Sequence, residues 1–484
     1  MASRYIPLAF VIAAVAAVVL FAGHQAEILD VVPGGKPDQP AVLTPSATPT
    51  EEAFDPLAYD EDKRSVFEQR AAAGLAYPLY AFSPGGAGAT AARVARWRAP
   101  VEAAARAADV NADTLEGLVF LESAGNEDAM ASNDLGGAVG LTQILAETGQ
   151  NLLGMRVDVA RSTLLTRRIR RGGPREAARR AQRRRIDERF DPAKALAATA
   201  RYLKIARKEL GREDLSFVSY HMGIGNLKSV LKAFGEGDEV PYAELFFSSS
   251  PLRHPGAWKI LAGLGDDSST YLWRVMAARE IMRMHREDPA GLARLAALHT
   301  SKNSAEEVLH PPQTTRVFKD PFDLGRAQAD GTLTRLDPET LDGRGIIGSP
   351  KMGELAPKLK QSRRLYRALQ PEALALLLYL GAGTEAIAGK RPIVLTSTAR
   401  DLDYQRVLLR RNVQATRNYS LHTTGWAFDV ARRYRGRAHA QAFQFMIDRL
   451  TALDLIAWVR EPGAIHMTVS SRAKELLPLL APAG

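Results

Sequence analysis

Cysteine is absent from all 484 residues. That excludes disulfides, a lipid-bearing cysteine anchor and thiolate metal sites, so any zinc must be held by His and carboxylate side chains. The absence is compatible with an oxidising, exported location. Internal repeats with periods of about 20 to 50 residues are also missing. Most of the chain lacks an excess of either charge. The net charge is +10, but residues 151–190 hold 13 Arg against 4 acidic residues, which leaves the remainder nearly neutral. A diffuse basic surface of the kind that holds nucleic acid is therefore excluded, and one local basic block needs its own explanation.

At 484 residues the chain exceeds one ordinary core, so two or three domains are expected. Hydrophobic content of 46% with 24% charged residues is that of a folded globular protein. Tyr5 to Gly23 is apolar apart from its ends, and its length approaches the roughly 20 residues that span a bilayer. Arg4 precedes it while Glu27 and Asp30 follow, which favours an N-inside orientation. The apolar run is long for a secretory signal and "FAGHQA" matches a cleavage site poorly. The expectation is a signal anchor over 1–23, a single-pass membrane protein with its bulk extracytoplasmic, or a secreted one where the signal is cleaved.

Residues 24–90 carry eight prolines, from Pro33 to Pro84, among Gly, Ser and Thr, and are expected to form an extended linker. From 91 to 290 apolar residues recur at three- and four-residue spacing, as in "TLEGLVFLESAG" and "AKALAATARYLKIARKEL", so this part is expected to be all-α. Residues 291–350 are rich in Pro, Gly and Asp and are expected to be a connector. In 351–484 two helical runs, "GELAPKLKQSRRLYRALQ" and "PEALALLLYLGAGTEAIAG", precede the strand-like "PIVLTST". The helical "AHAQAFQFMIDRLTAL" then leads to the strand-like "IAWVR" and "IHMTVS", which predicts an α+β domain.

In the helical half, Glu122 follows Leu118, Val119, Phe120 and Leu121. Its carboxyl is expected at the edge of a core, where desolvation keeps it protonated near neutral pH, as a general acid requires. Gly136, Gly137 and Gly140 suggest a turn that lets a long polymer pass close to the backbone, with Gln143 hydrogen-bonding in the cleft. Glu122-Ser123, Gly140-Leu141-Thr142-Gln143, "FDPAKALAATARYL" and "SYHMGIGN" follow in order over about 105 residues. Together they resemble the lytic transglycosylase domain of the soluble (SLT) type, whose fold is lysozyme-like and all-α. The resemblance implies that Glu122 protonates the oxygen between MurNAc and GlcNAc, then deprotonates the MurNAc 6-hydroxyl to close a 1,6-anhydro ring. Neither a cofactor nor a second carboxylate is implied, unlike the two-acid glycosidases. By resemblance, Ser123 and Tyr220 position Glu122 and the sugar, and Gln143 lines the groove. Thr142 stands where the family usually has Met, His221 where it usually has Asn, and 46 residues, 144–189, separate "GLTQ" from "FDP".

Those residues include the arginine block, for which two readings stand: a solvated helix face, or attachment through 156–189 to anionic wall polymers or lipid headgroups.

In the C-terminal part, His422 and Asp429 lie seven apart across Gly425, and His466 sits on a strand-like run. Two imidazoles and a carboxylate make a three-ligand set that leaves zinc an open position for water. Glu461 is the candidate base, and Arg400 could bind a substrate carboxylate or stabilise an oxyanion. Ser420, His422, Gly425, Ala427 and Asp429 match the S-x-H-x-x-G-x-A-x-D signature of the zinc D-Ala-D-Ala carboxypeptidase superfamily. His466 matches its third ligand, and Arg400 and Gln405 match its upstream arginine and substrate-binding glutamine. This resemblance implies Zn2+ as cofactor and the stem peptides of peptidoglycan as substrate. The family's Glu stands three residues before the last His, a position held here by Gly463. His221, His254, His285, His299, His310 and His439 show no ligand spacing and are read as structural or surface residues.

The combined expectation is a multidomain protein: a transmembrane helix, an all-α lysozyme-like domain and an α+β zinc DD-peptidase-like domain, acting on glycan strands and stem peptides. Two other readings stay open. One is a non-catalytic peptidoglycan-binding scaffold. The other is a hydrolytic muramidase, with Glu127, Asp128 or Asp134 as the further carboxylate.

Overall fold

The computed structural model describes residues 55–235, 239–302, 304–341, 343–389, 391–410 and 419–481. The expected anchor over 1–23 and the first part of the linker, 24–54, lie outside them. No helix of the described residues is long and apolar enough to cross a membrane. The contacts divide the described residues into one unit of 60–296 and a second that contains 55–59 and 297 onward.

The first unit is built from helices. Helix α1 (Ala112–Ser123) starts where Asn111 accepts the Thr114 N–H at 2.9 Å and stops at Ala124, which is left-handed with φ 52°. Its apolar run buries Leu115, Leu118, Val119 and Phe120. Helices α2 (Val159–Arg170) and α3 (Glu176–Ile186) form a hairpin. The "FDP" sequence is a helix start: Phe190 is buried, Asp191 caps, and Pro192 opens α4 (Pro192–Leu210), which ends at the left-handed Gly211. Helix α5 (Glu213–Met222) follows, and α6 (Tyr271–Glu287) buries Tyr271, Trp273, Val275, Ile281 and Met282. Gly117 sets the packing of α1 on α6, because a Cβ there would lie 2.6 Å from the Val275 carbonyl.

The linker expectation holds poorly over its described part. Helices Arg64–Gly74 and Tyr77–Phe82 and the start of Ala87–Ala95 occupy it, and Phe67, Ala71, Leu79, Tyr80 and Ala87 are buried. Its prolines deceived because Pro78 opens a helix, a position that needs no N–H, and so does not break one.

The second unit has a five-stranded sheet, β1 (Ile346–Gly348), β2 (Ile393–Ser397), β3 (Ala427–Ala431), β4 (Ile456–Arg460) and β5 (Ala464–Val469), in the order β1-β2-β3-β5-β4. The β1–β2 pair is parallel and the others antiparallel. Helices α7 (Pro371–Ala388) and α8 (Arg437–Ala452) bury their apolar faces in the same unit. The α+β expectation matches this arrangement. The connector expectation over 291–350 does not. Phe318, Leu324, Ala327 and Leu333 lie in a core cluster with Leu355, Tyr366 and Tyr404, and β1 belongs to the sheet. Most of the helix Pro289–Thr300 and all of the helix Pro321–Ala329 fall in this stretch, hidden by the Pro, Gly and Asp around them. The helix expected from "GELAPKLKQSRRLYRALQ" is instead two short 3-10 turns, Ala356–Leu359 and Arg363–Tyr366. Gly353 (φ 75°), Pro357 and the left-handed Lys360 break it.

Candidate active sites

In the first unit Glu122 stands in the last turn of α1, half-buried. The Tyr271 hydroxyl donates to its Oε1 at 2.5 Å. The close approach at Gly117 and Val275 explains the meeting, since Tyr271 lies one turn before Val275 on α6 and Glu122 five residues after Gly117. Burial lifts the Glu122 carboxyl to about 7, against smaller downward pulls from the Tyr271 hydrogen bond and from His221. Burial and the carboxylate also hold Tyr271 well above its ordinary range, so it acts as a neutral donor. Sequence reasoning missed Tyr271, and no local pattern marks it.

His221 stacks on Tyr271 with centroids 5.1 Å apart and bonds Ser268 Oγ through Nδ1 at 2.8 Å. It was read as lacking ligand partners, yet it groups with Asp266 and Asp267, with possible ligand atoms all within 4.8 Å. His221 and Asp266 are exposed.

Tyr220 lies near enough to Glu122 for the carboxyl to raise its phenol, although burial is the larger cause. Its hydroxyl donates to the Thr142 carbonyl at 2.7 Å and meets Thr199 Oγ1 at 3.1 Å. Tyr220 thereby ties the "GLTQ" loop beside Glu122. Gln143 is half-buried with φ 53°, its side-chain amide donating to the Gly140 carbonyl at 2.8 Å. Two expectations change. Ser123 is buried and its hydroxyl donates to the Val119 carbonyl at 3.2 Å, so it does not present itself to a cleft. Gly140 is required by the protein's own backbone, since a Cβ there would sit 1.9 Å from the Arg189 carbonyl.

The arginine block is partly interior. Arg189 is fully buried, pairs with Asp187 at 2.9 Å, and donates to the carbonyls of Leu135, Gly137 and Ile144, which holds the loop in shape. Arg183 is buried over the Phe190 ring at 3.7 Å and pairs with Asp128, which Arg180 also meets. Arg184 pairs with Glu127. Neither a solvated face nor a wholly polymer-facing segment describes residues 156–189. The same contacts occupy two of the three carboxylates considered for a muramidase, and the third, Asp134, accepts the Gly136 N–H at 2.8 Å.

In the second unit the sheet builds a charge cluster. Asp429 on β3 and His466 on β5 are cross-strand partners, and His422 lies on the short 3-10 turn that precedes Gly425 (φ 77°) and β3. Asp429 Oδ1 accepts from His466 Nδ1 at 2.7 Å and lies 3.2 Å from His422 Nε2. Each imidazole is held from behind: His422 Nδ1 by the Thr398 carbonyl at 2.9 Å, His466 Nε2 by Glu306 Oε1 at 2.9 Å. Glu306, from the expected connector, also accepts from Thr468 at 2.7 Å and Ser304 at 3.0 Å. Sequence reasoning missed it, because it stands 162 residues before Thr468.

Burial alone would lower His466, but Glu306 and Asp429 on its two nitrogens raise it to about 10. Burial and the Arg400 charge lower His422 to about 4. Burial would raise Glu306, yet His466 and the two hydroxyls bring it down to about 2. Arg400 reaches Ser397 Oγ at 2.6 Å, Gln405 Oε1 at 3.3 Å and Asp429 Oδ2 at 3.5 Å. Glu461 sits half-buried where β4 turns into β5, raised first by burial and then by Asp429. His310, read as structural, is buried and stacks on Trp426 with centroids 4.5 Å apart.

Residues 173–242 match the family model of the transglycosylase SLT domain. The match spans α3, α4 and α5 and so includes "FDP" and Tyr220, while Glu122 and the "GLTQ" loop precede it. No curated protein matches the chain.

Proposed function

We propose that the first unit is a lytic transglycosylase that cleaves peptidoglycan glycan strands between MurNAc and GlcNAc, with Glu122 as its acid and base. The Glu122 proton goes to the bridging oxygen as the C1–O bond breaks. The MurNAc 6-hydroxyl oxygen bonds to C1, and its proton returns to Glu122, so the product carries a 1,6-anhydro ring and no water is consumed. Tyr271 steadies the carboxyl, and Tyr220 holds the loop bearing Gln143. The observation that carries this reading is a single carboxyl lifted to about 7 against a neutral phenol. Glu127 and Asp128 are bound to arginines, and Asp267, whose charge reaches Glu122, pairs with Arg274, which favours this route over a two-carboxylate muramidase. The SLT match at 173–242 supports the substrate class. Digesting purified sacculi with the full chain tests it: 1,6-anhydro-muropeptides are expected from the parent protein and about a thousandfold less from Glu122→Gln. A binding scaffold would release none from either.

For the second unit we propose a zinc site of His422, Asp429 and His466 serving a stem-peptide peptidase. The fit rests on three donors converging from β3, β5 and the turn before β3, with Thr398 and Glu306 orienting the imidazoles. Zinc would supply a Lewis acid there. Arg400 and Gln405 would hold the substrate carboxylate, and Glu461 would carry a proton. Metal analysis of the full chain against His422→Ala and His466→Ala checks the site, with stoichiometric zinc expected only in the parent. The apolar segment 5–23 would keep both units at the membrane on its outer side, which carbonate extraction of membranes checks.

A further inference from the structure

The arginine-rich hairpin presents two different faces. On α3, Arg180, Arg183 and Arg184 are paired with Asp128 and Glu127 and belong to the fold. Arg175, at the N-cap of α3, and Arg179 and Gln182 on another face of that helix follow at three- and four-residue spacing and line an open cleft with Arg168 and Arg171. The cleft holds about 460 Å3, within the usual range of small-ligand sites, and no acidic side chain lines it. Gly172 (φ 71°) and Gly173 (φ 107°) supply the left-handed turn that folds α2 back on α3 and brings arginines from both helices together. Arg179 is fixed in place, its Nη1 donating to the carbonyls of Arg168 and Gly172, each at 3.1 Å. Arg168, Arg171 and Arg175 are exposed and have no carboxylate within ion-pair reach among the described residues.

Four guanidinium groups around one small cleft repel each other, and a counter-charge of matching size relieves that repulsion. Guanidinium forks pair bidentately with phosphate oxygens. A phosphate ester carries close to two charges where a carboxylate carries one. We propose that the α2–α3 cleft is a binding site for a compact, multiply charged anion of the phosphate-ester or pyrophosphate class.

Titration calorimetry of the full chain with pyrophosphate at constant ionic strength tests this. Saturable binding is expected, weakened at least about tenfold in Arg171→Gln/Arg175→Gln. It should be unchanged in Arg161→Gln/Arg167→Gln, whose arginines are exposed outside the cleft. Pelleting with vesicles bearing phosphomonoester headgroups, but not with neutral choline vesicles, would assign the anion to a lipid. Pyrophosphate binding without pelleting would assign it to a soluble or polymer-borne phosphate. Circular dichroism checks the fold of the double variant, and Arg175→Gln alone replaces it if that fold is lost. Absence of saturation with pyrophosphate, or an equal loss in the cleft and control variants, overturns the proposal.

Discussion

Two glutamates, Glu122 in the helical unit and Glu306 in the sheet unit, are driven in opposite directions. Burial pushes both upward. Glu122 faces a neutral phenol and ends near 7, while Glu306 faces an imidazole that carries a proton and ends near 2. Neighbours, not burial, decide whether a withdrawn carboxyl is a proton store or a fixed charge. The helical site therefore suits proton transfer to a sugar oxygen. The sheet site holds a dense set of opposed charges, with Asp429 and Glu306 on the two nitrogens of His466.

The largest effect expected on this contrast is at Glu122. Glu122→Gln should cut anhydro-muropeptide release about a thousandfold, measured by chromatography of digested sacculi. The fold should survive, since an amide oxygen still accepts from Tyr271. Because the folded carboxyl lies above its ordinary 4.5, its burial favours the protonated form. The cost is absent below pH 4.5 and grows as pH rises to about 7. Urea unfolding should accordingly show the variant gaining on the parent above pH 7 and not below pH 4.5. A parent chain whose release rate stays flat through pH 7 would argue against a protonated acid.

Next in size is Glu306→Gln, which removes one of the two anionic partners of the half-buried His466 and leaves Asp429 alone. A loss of about 3 kcal/mol is expected in urea melts of the chelator-treated chain. Zinc affinity should fall by about tenfold or more in competition with a chromogenic chelator. Intact zinc affinity would reduce Glu306 to a packing residue.

Tyr271→Phe comes third. Loss of one hydrogen bond to the carboxyl should slow release about tenfold. It should also move the alkaline fall in activity to higher pH, because that bond lowers the Glu122 value. A slowed enzyme with an unmoved pH profile would leave Tyr271 a structural role alone. The smallest change belongs to Glu127→Gln, a partly exposed pair with Arg184. About 0.5 kcal/mol of stability and no change in product release are expected. A large loss of release would revive the two-carboxylate muramidase.

Legibility differed between the two units for a physical reason. The helical half could be read because its elements are local: Asn111 and Asp191 cap, Pro192 opens α4, and the apolar spacing of α1 names its buried face. The strand runs of "PIVLTST", "IAWVR" and "IHMTVS" were equally plain, whereas β3 lay hidden inside a motif read for its ligands. Residues 291–350 were misjudged because their burial arises from partners far along the chain. Phe318 bonds through its N–H to the Thr423 carbonyl at 2.8 Å, and Glu306 waits on His466.

The sequence by itself determined where helices such as α1 and α4 begin and end, that Glu122 would stand at the edge of an apolar wall, and that His422, Asp429 and His466 carry donor atoms of one kind of chemistry. All of these follow from spacing along one stretch of chain. Tertiary structure alone decided that Tyr271 would meet Glu122, that Glu306 would steady His466, and which arginines pair inward. Those outcomes depend on helix approach at Gly117 and on cross-strand register, contacts between segments whose separation leaves no periodic trace.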